Sequence, residues 1–136
     1  MIEITRDGTI VWSYGQGLSG AAFANRLPNG DTLIADSSHS RIVEVTPTKR
    51  IVFEYFTNAD PASNSAPLPT NAVALANGGI MIADQFNDRV LLINAQMKFQ
   101  YGTINVAGNG PGQLNGPYTA YVVGDYTGQT PPPATF

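Results

Sequence analysis

The residues of this sequence best suited to chemistry are two pairs of opposite charge, Asp36 with Arg41 and Asp84 with Arg89. The members of each pair are five positions apart, with polar residues between them. A carboxylate and a guanidinium at this spacing can meet across a tight turn, where the guanidinium donates to carboxylate or carbonyl oxygens. A catalytic pair has little reason to recur in register, so the repetition indicates a structural clamp that occurs once per unit.

The segments inside the two pairs hold the remaining candidates for contact with a ligand. The single histidine, His39, lies between Asp36 and Arg41. One histidine in a turn is more often a solvated turn residue than a catalytic or metal-binding group. The sequence therefore predicts no catalytic residue, no metal site and no cofactor. The turn residues expected to touch a partner molecule are Ser38, His39, Phe86 and Asn87.

Each charged pair belongs to a longer segment that occurs twice. Residues 27–45 return 48 positions later as residues 75–93, and each copy reads as a polar turn, an apolar run, a second polar turn and another apolar run. The first turn of each copy contains an Asn-Gly step, at Asn29 and at Asn77, which tolerates positive φ. The first apolar run is continuous rather than alternating, which is typical of a strand covered on both faces. Each copy is predicted to be a β-hairpin within stacked sheets.

A related segment lies near the N-terminus. Residues 2–14 align without gaps on residues 43–55, which lie 41 positions downstream. Both segments end in an aromatic residue, any residue and a tyrosine, and the same ending recurs at residues 99–101. Residues two apart share one face of a strand, so these rings are predicted to be packing anchors between layers.

The composition argues against two classes of partner. The chain has 136 residues, a formal net charge of −3 and only seven Lys and Arg, which are too few and too scattered to neutralise a nucleic-acid backbone. No apolar run approaches the length that spans a bilayer, so neither a nucleic acid nor a membrane is expected as a partner. Charged residues make up only 12% of the chain, and Asn, Thr, Ser and Gly are abundant, which slightly favours an extracellular or cell-surface location. The absence of cysteine does not fix the compartment.

The repeated motif resembles the NHL repeats of β-propellers. The Gly-rich connector and the strand-turn-strand signature of that family are matched by residues 112–117 and by residues 82–90, Ile-Ala-Asp-Gln-Phe-Asn-Asp-Arg-Val. The resemblance implies an all-β fold in which each repeat forms a four-stranded antiparallel blade and the blades surround a central channel. Within residues 1–129 it implies a half blade at 2–14, blades at 18–55 and 68–101, and a partial blade at 117–129, followed by a proline-rich tail at 130–136.

The number of blades has a consequence for assembly. About three blades per chain cannot close a ring, because propellers typically have four to eight. The half blade lacks inner strands and the partial blade lacks outer ones, so two chains are expected to complete each other in a six-bladed homodimeric ring. A join that fails to close would instead propagate into a filament. The residues expected at the join are Ile2, Ile4, Trp12, Tyr118, Tyr121 and Val122.

Three functions are compatible with this organisation. The first is a non-enzymatic propeller module for binding or scaffolding, which self-assembles and recognises a protein or a glycan. The second is a structural subunit of an extracellular fibre or surface assembly. The third is a calcium-dependent propeller hydrolase or lactonase, in which Asp36, Asp84 and Asp125 would converge on an ion. The first is preferred, because NHL-type lyases rely on several histidines and this chain has one.

Overall fold

The structure is a computed structural model that describes residues 1–94 and 98–125. Strands β1 and β2 form a hairpin, and two four-stranded sheets follow in which neighbouring strands are consecutive in the chain. The predicted all-β fold with antiparallel four-stranded blades is confirmed. The strands are β1 (Ile2–Ile4), β2 (Ile10–Ser13), β3 (Ala21–Arg26), β4 (Thr32–Asp36), β5 (Arg41–Val45), β6 (Ile51–Phe56), β7 (Pro69–Ala74), β8 (Ile80–Asp84), β9 (Arg89–Ile93) and β10 (Lys98–Tyr101).

The turn between β4 and β5 recurs between β8 and β9. A single 3-10 turn, Ser37–His39 in the first sheet and Gln85–Asn87 in the second, is closed by a residue in the left-handed conformation. These residues are Ser40, with φ of 55°, and Asp88, with φ of 53°. The register then places each Asp opposite its Arg at the end of the strand pair. Both sheets therefore present the same charged pair at the same end.

The continuous apolar run of β4 is explained by packing on both faces of its sheet. Adjacent residues of a strand point to opposite faces, and Leu33 and Ile34 belong to different hydrophobic clusters. The Leu33 cluster lies between the two four-stranded sheets and also contains Ala35, Ile42, Ala72, Ile82 and Leu91. The Ile34 cluster lies between the first sheet and the hairpin and also contains Tyr14, Val43 and Val45.

The aromatic endings of the repeats differ in their surroundings. Trp12 and Tyr14 stack with ring centroids 6.1 Å apart and pack against the cluster beneath the hairpin. Phe53 and Tyr55 pack against the cluster between the two sheets. The third ending, at residues 99–101, has both rings about half exposed, and no four-stranded sheet follows that of β10 in the described structure. Within the described structure, the predicted packing of these rings between layers is therefore found for the first two endings and not for the third.

A left-handed residue precedes the first strand of each four-stranded sheet, β3 and β7, and another occurs at the same spacing before residues 117–125. Gly20, Leu68 and Gly116 have φ values of 56°, 49° and 54° and are spaced by 48 positions. Glycine adopts this conformation without strain, whereas leucine does so at a cost. The chain therefore makes the same entry turn three times, even where the sequence supplies a side chain that disfavours it.

The segment after the third entry turn is only partly described. Residues 117–125 contain an isolated bridge between Val122 and Asp125 and no strand of a ladder. The predicted partial blade at 117–129 and the proline-rich tail at 130–136 extend into residues 126–136, which lie outside the described part. Among the residues that are described, no helix has the length and apolar character needed to cross a membrane.

Candidate functional site

The first charged cluster is built around Asp36, whose carboxylate is buried at the end of β4. Arg41 Nε donates to Asp36 Oδ2 at 2.7 Å, the Ser19 backbone N–H donates to Oδ1 at 2.7 Å, and His39 Nδ1 lies 2.9 Å from Oδ2. Arg41 also donates to Glu54 Oε1 at 2.6 Å. Burial opposes ionisation of Asp36, but the donors from Ser19, His39 and Arg41 outweigh it and lower the pKa of this carboxyl below its usual value.

The second cluster is more deeply buried, and its centre is Arg89, which is inaccessible to solvent. Arg89 Nε donates to Asp84 Oδ2 at 2.7 Å, and its terminal nitrogens donate to the Thr57 carbonyl at 2.8 Å and to Gln100 Oε1 at 3.1 Å. Asp60 Oδ2 lies 3.2 Å from the same guanidinium. The guanidinium thereby ties β8 and β9 to β10 and to the connector between the two sheets.

The two clusters differ at one carboxylate oxygen. Asp84 Oδ1 is buried and has no hydrogen-bond partner in the described structure, whereas the equivalent oxygen of Asp36 accepts from Ser19. The residue equivalent to Ser19 is Pro67: the Ser38 N–H donates to the Ser19 carbonyl at 3.1 Å, and the Phe86 N–H donates to the Pro67 carbonyl at 2.8 Å. Proline has no backbone N–H, so residue 67 cannot donate to Asp84 Oδ1 as Ser19 donates to Asp36 Oδ1.

The two aspartates differ in the net direction of their pKa because Asp84 is buried more deeply than Asp36, and because its carboxylate also lacks one donor. At Asp84, burial raises the pKa of the carboxyl above its usual value, and the opposing contributions of Asn87, Arg89 and the nearby Thr57 hydroxyl do not fully offset it. The sequence shows the exchange of serine for proline between the repeats, but the repeat alignment alone gives no reason to attach importance to it.

The four turn residues predicted to touch a partner do not share one environment. Ser38, His39 and Phe86 are exposed, whereas Asn87 is inaccessible to solvent. Asn87 Nδ2 donates to Asp84 Oδ2 at 2.7 Å, and Asn87 Oδ1 accepts from the Asn64 backbone N–H at 2.7 Å. A partner on the surface could not touch Asn87 without local unfolding. His39 occupies the equivalent position in the first sheet and has the same relation to its aspartate.

The residues predicted at the subunit join also differ from one another. Ile2 and Ile4 are 64% and 55% exposed on β1, and Tyr118 and Tyr121 are also exposed. Trp12 is already engaged within the chain: its Nε1 donates to the Pro47 carbonyl at 3.2 Å, and the Arg26 guanidinium carbon lies 4.9 Å from its ring centroid. Val122 is half-buried next to its bridge with Asp125.

The aspartates considered for a calcium site do not converge. Asp36 and Asp84 each bind the arginine of their own sheet, and an Asp125 carboxylate oxygen accepts from the Ala76 N–H at 3.0 Å. Within residues 1–94 and 98–125, no group of three or more His, Asp or Glu side chains is placed to hold a metal ion. Each carboxylate has a local partner instead.

A cleft of about 820 Å³ opens between the two four-stranded sheets, at the end opposite the charged clusters. It lies where the β3–β4 and β7–β8 turns approach each other, and it was not predicted from the sequence. Its apolar lining comes from Leu27, Leu33, Phe53, Tyr55, Ala74, Ile80 and Ile93, and its polar lining includes Asn29, Glu44, Asn94 and Lys98. The backbone of Gly78 and Gly79 also borders the cleft, and these residues contribute no side chain to fill it.

Comparison with known proteins identifies the architecture. No protein-family model matches the sequence, and no curated protein matches it. Among solved structures, the chain is similar to virginiamycin B lyase from Staphylococcus aureus, solved as the selenomethionine protein and as a catalytically inactive histidine-to-alanine variant with quinupristin. The TM-score is 0.53 with 20% identity, over 74% of this chain and 33% of the lyase. The chain has a β-propeller-like fold.

Two further solved structures are similar to this chain. A streptogramin B lyase gives a TM-score of 0.53 with 19% identity, over 76% of this chain and 33% of the lyase. A protein of unknown function from Bacteroides caccae gives 0.54 with 14% identity, over 73% of this chain and 35% of the other. The chain thus spans about a third of the length of the structures that it matches. At these identities the likeness shows the fold alone.

Proposed function

We propose that this chain is a segment of NHL-like propeller blades that acts as a non-enzymatic binding or scaffold module, and that it completes its blades by pairing with a second copy. The observation that carries the proposal is the open edge of β1. In the described structure β1 pairs only with β2, although both whole blades have four strands. An unpaired strand edge favours the addition of another strand.

The direction of the backbone groups on β1 supports this proposal. The Tyr14 N–H donates to the Met1 carbonyl at 2.9 Å, so Met1 faces β2. In an antiparallel pair, successive residues turn their backbone groups alternately toward and away from the partner strand. Ile2 therefore directs its N–H and carbonyl toward the open edge. Its exposed side chain adds apolar surface that an incoming strand would cover.

A candidate for the incoming strand is the segment at residues 117–125. It runs beside β7, since Thr70 Oγ1 donates to the Tyr118 carbonyl at 2.7 Å and the Ala76 N–H donates to the Asp125 carboxylate. β7 itself packs against β3 and β4 of the preceding sheet in a comparable way. These contacts support the proposal that the segment takes the position of an inner strand, which is the part that the β1–β2 hairpin lacks.

The test is the solution mass of the chain by light scattering over a concentration series. Blade completion by two copies predicts twice the chain mass of 14.4 kDa. Ile2→Pro removes the outward N–H and should yield monomers, whereas Ile2→Ala keeps that N–H and should largely retain the dimer. A stable monomer of the unsubstituted chain would refute the proposal. Large polymers would favour the fibre-forming alternative.

A lyase-like activity is a second candidate, and the similarity to streptogramin B lyases favours it. His39 is oriented by a buried carboxylate, an arrangement that suits a general base. Asn87, which cannot act as a base, has the same position and contact in the second sheet, so we rank this candidate below the binding module. The test is incubation with quinupristin followed by chromatography. Turnover that is lost in His39→Ala would establish the activity.

A further inference from the structure

The cleft between the two four-stranded sheets has the size and lining of a small-molecule site. Its volume of about 820 Å³ falls within the range of typical ligand pockets. Its walls are mostly apolar and include the rings of Phe53 and Tyr55. Such rings pack against flat apolar groups and also attract cations over their faces. The shape alone therefore suits an apolar body of aromatic size.

The polar groups of the cleft differ in whether their charge is balanced. Lys98 Nζ lies 3.2 Å from Asp60 Oδ2, so its charge already has a partner. Glu44 is half-buried and accepts one hydrogen bond, at 3.2 Å, from the neutral Asn29 amide. That amide also lies 3.4 Å from Asp31 Oδ2, which brings a second carboxylate close to Glu44. In the described structure no cation is paired with Glu44.

The two neighbouring carboxylates of Glu44 and Asp31 would stabilise a cation bound beside them. Burial and the neighbouring Asp31 raise the pKa of Glu44 above its usual value, while the Asn29 amide opposes them. A positive charge beside the two carboxylates would relieve their repulsion. It would also supply hydrogen bonds that the neutral amide cannot match in strength.

We propose that this cleft binds a small molecule that carries an apolar, aromatic-sized body and a protonated amine. The apolar body lies between the sheets against Phe53, Tyr55 and Leu33, and the amine donates to Glu44. The inference does not rest on the proposed self-assembly, because every lining residue belongs to one chain. A monomeric Ile2→Pro variant should bind the amine as well as the unsubstituted chain does.

The test is calorimetric titration of the chain with three probes of similar shape: naphthylethylamine, naphthylethanol and naphthylacetate. We expect the amine to bind about tenfold more tightly than the alcohol, which corresponds to one partly buried ion pair, and the acid to bind most weakly. Equal affinity for amine and alcohol would overturn the assignment of the cation. Failure of all three probes to bind at millimolar concentration would overturn the site.

Substitutions locate the binding within the cleft. Glu44→Gln should reduce the affinity for the amine to that for the alcohol and leave the alcohol unchanged. Asp7→Asn removes one negative charge from an exposed turn that does not line the cleft, and it should leave all three affinities unchanged. Ala74→Phe should block all three probes by filling the cleft. If the amine retains its preference in Glu44→Gln, with a melting temperature showing that the variant is folded, the proposal is wrong.

Discussion

Replacing Pro67 with serine should stabilise the protein, because it restores a donor to a buried carboxylate oxygen. The backbone of residue 67 already accepts a hydrogen bond in the same way as that of Ser19. The new N–H should therefore reach Asp84 Oδ1 as the Ser19 N–H reaches Asp36 Oδ1, at 2.7 Å. A hydrogen bond to a charged group contributes about 1.5–3 kcal/mol. Loss of the proline costs roughly 0.4–1 kcal/mol through the unfolded chain.

The expected net gain in the free energy of unfolding at pH 7 is therefore about 1–2 kcal/mol, or a rise of roughly 4 °C in melting temperature for each kcal/mol. Its pH dependence follows from Asp84, whose pKa is raised in the fold from a usual value of 3.8. The folded chain binds this proton more tightly than the unfolded chain does, so stability falls as pH rises through the raised pKa. The serine N–H favours the charged carboxylate, so its benefit should be full above the raised pKa and should decline as the pH falls and Asp84 takes up its proton.

Urea denaturation of both variants between pH 3 and pH 8 measures this difference. The reciprocal variant, Ser19→Pro, should lose about 1.5–3 kcal/mol at pH 7, because it leaves an Asp36 oxygen without its donor. In an Asp84→Asn background, Pro67→Ser should give little or none of its gain. A Pro67→Ser effect that is destabilising, or that is equal at pH 3 and pH 7, would refute the reasoning.

Three further substitutions test other features of the fold by urea denaturation. Gly20→Ala should cost about 1–2 kcal/mol, because residue 20 has positive φ and an added Cβ would overlap the Ser38 hydroxyl. Arg89→Leu should cost about 3–5 kcal/mol, because it leaves the buried Asp84 carboxylate without its cation. His39→Asn should change stability by less than about 0.5 kcal/mol, since asparagine makes the equivalent contact in the second sheet, whereas His39→Ala should cost about 1 kcal/mol.

Each of these predictions has its own control. Gly17→Ala also places a side chain at positive φ, 72°, but no neighbour lies within 4 Å of the added Cβ, so it should cost less than Gly20→Ala. Adding Asp84→Asn to Arg89→Leu should recover part of the loss, since a neutral amide is less costly to bury than an unpaired carboxylate. If His39→Asn proves as destabilising as His39→Ala, the two turns are not equivalent and a special role for the histidine regains support.

Much of the fold could be predicted because the repeat combines local signals that agree. The Asn-Gly turns, the apolar runs and the five-residue spacing of Asp36 and Arg41 all indicate paired strands around a turn, and the strands do pair in that register. The resemblance to NHL repeats then implied four strands per blade. The sequence beyond β10 allowed less of the fold to be predicted. Residues 117–125 form only an isolated bridge there and no strand of a ladder.

The candidate sites were harder to predict, because they depend on differences between repeats rather than on the repeat itself. The 48-residue offset pairs His39 with Asn87, but it could not show that one is exposed and the other buried. Burial of Asn87 depends on the connector that covers its turn, through Ser63 and Asn64. Proline at position 67, where the first repeat has Ser19, removes a backbone donor from Asp84, which lies 17 positions away in sequence. The inter-sheet cleft is lined by residues of both sheets, and no local pattern in the sequence encodes how the two sheets pack against each other.

The two ends of the blades have different physical roles, and this difference bears on function. At one end, Asp36, Arg41, Asp84 and Arg89 join neighbouring strands and connectors through charged hydrogen bonds. At the other end the cleft opens between the sheets, and Glu44, which lines it, has no cation as a partner in the described structure. Charged clamps at one end can hold the sheets in place while side chains at the opposite end remain free to accept a ligand. Substitutions in the clamps should therefore change stability more than ligand affinity, and substitutions around Glu44 should do the reverse.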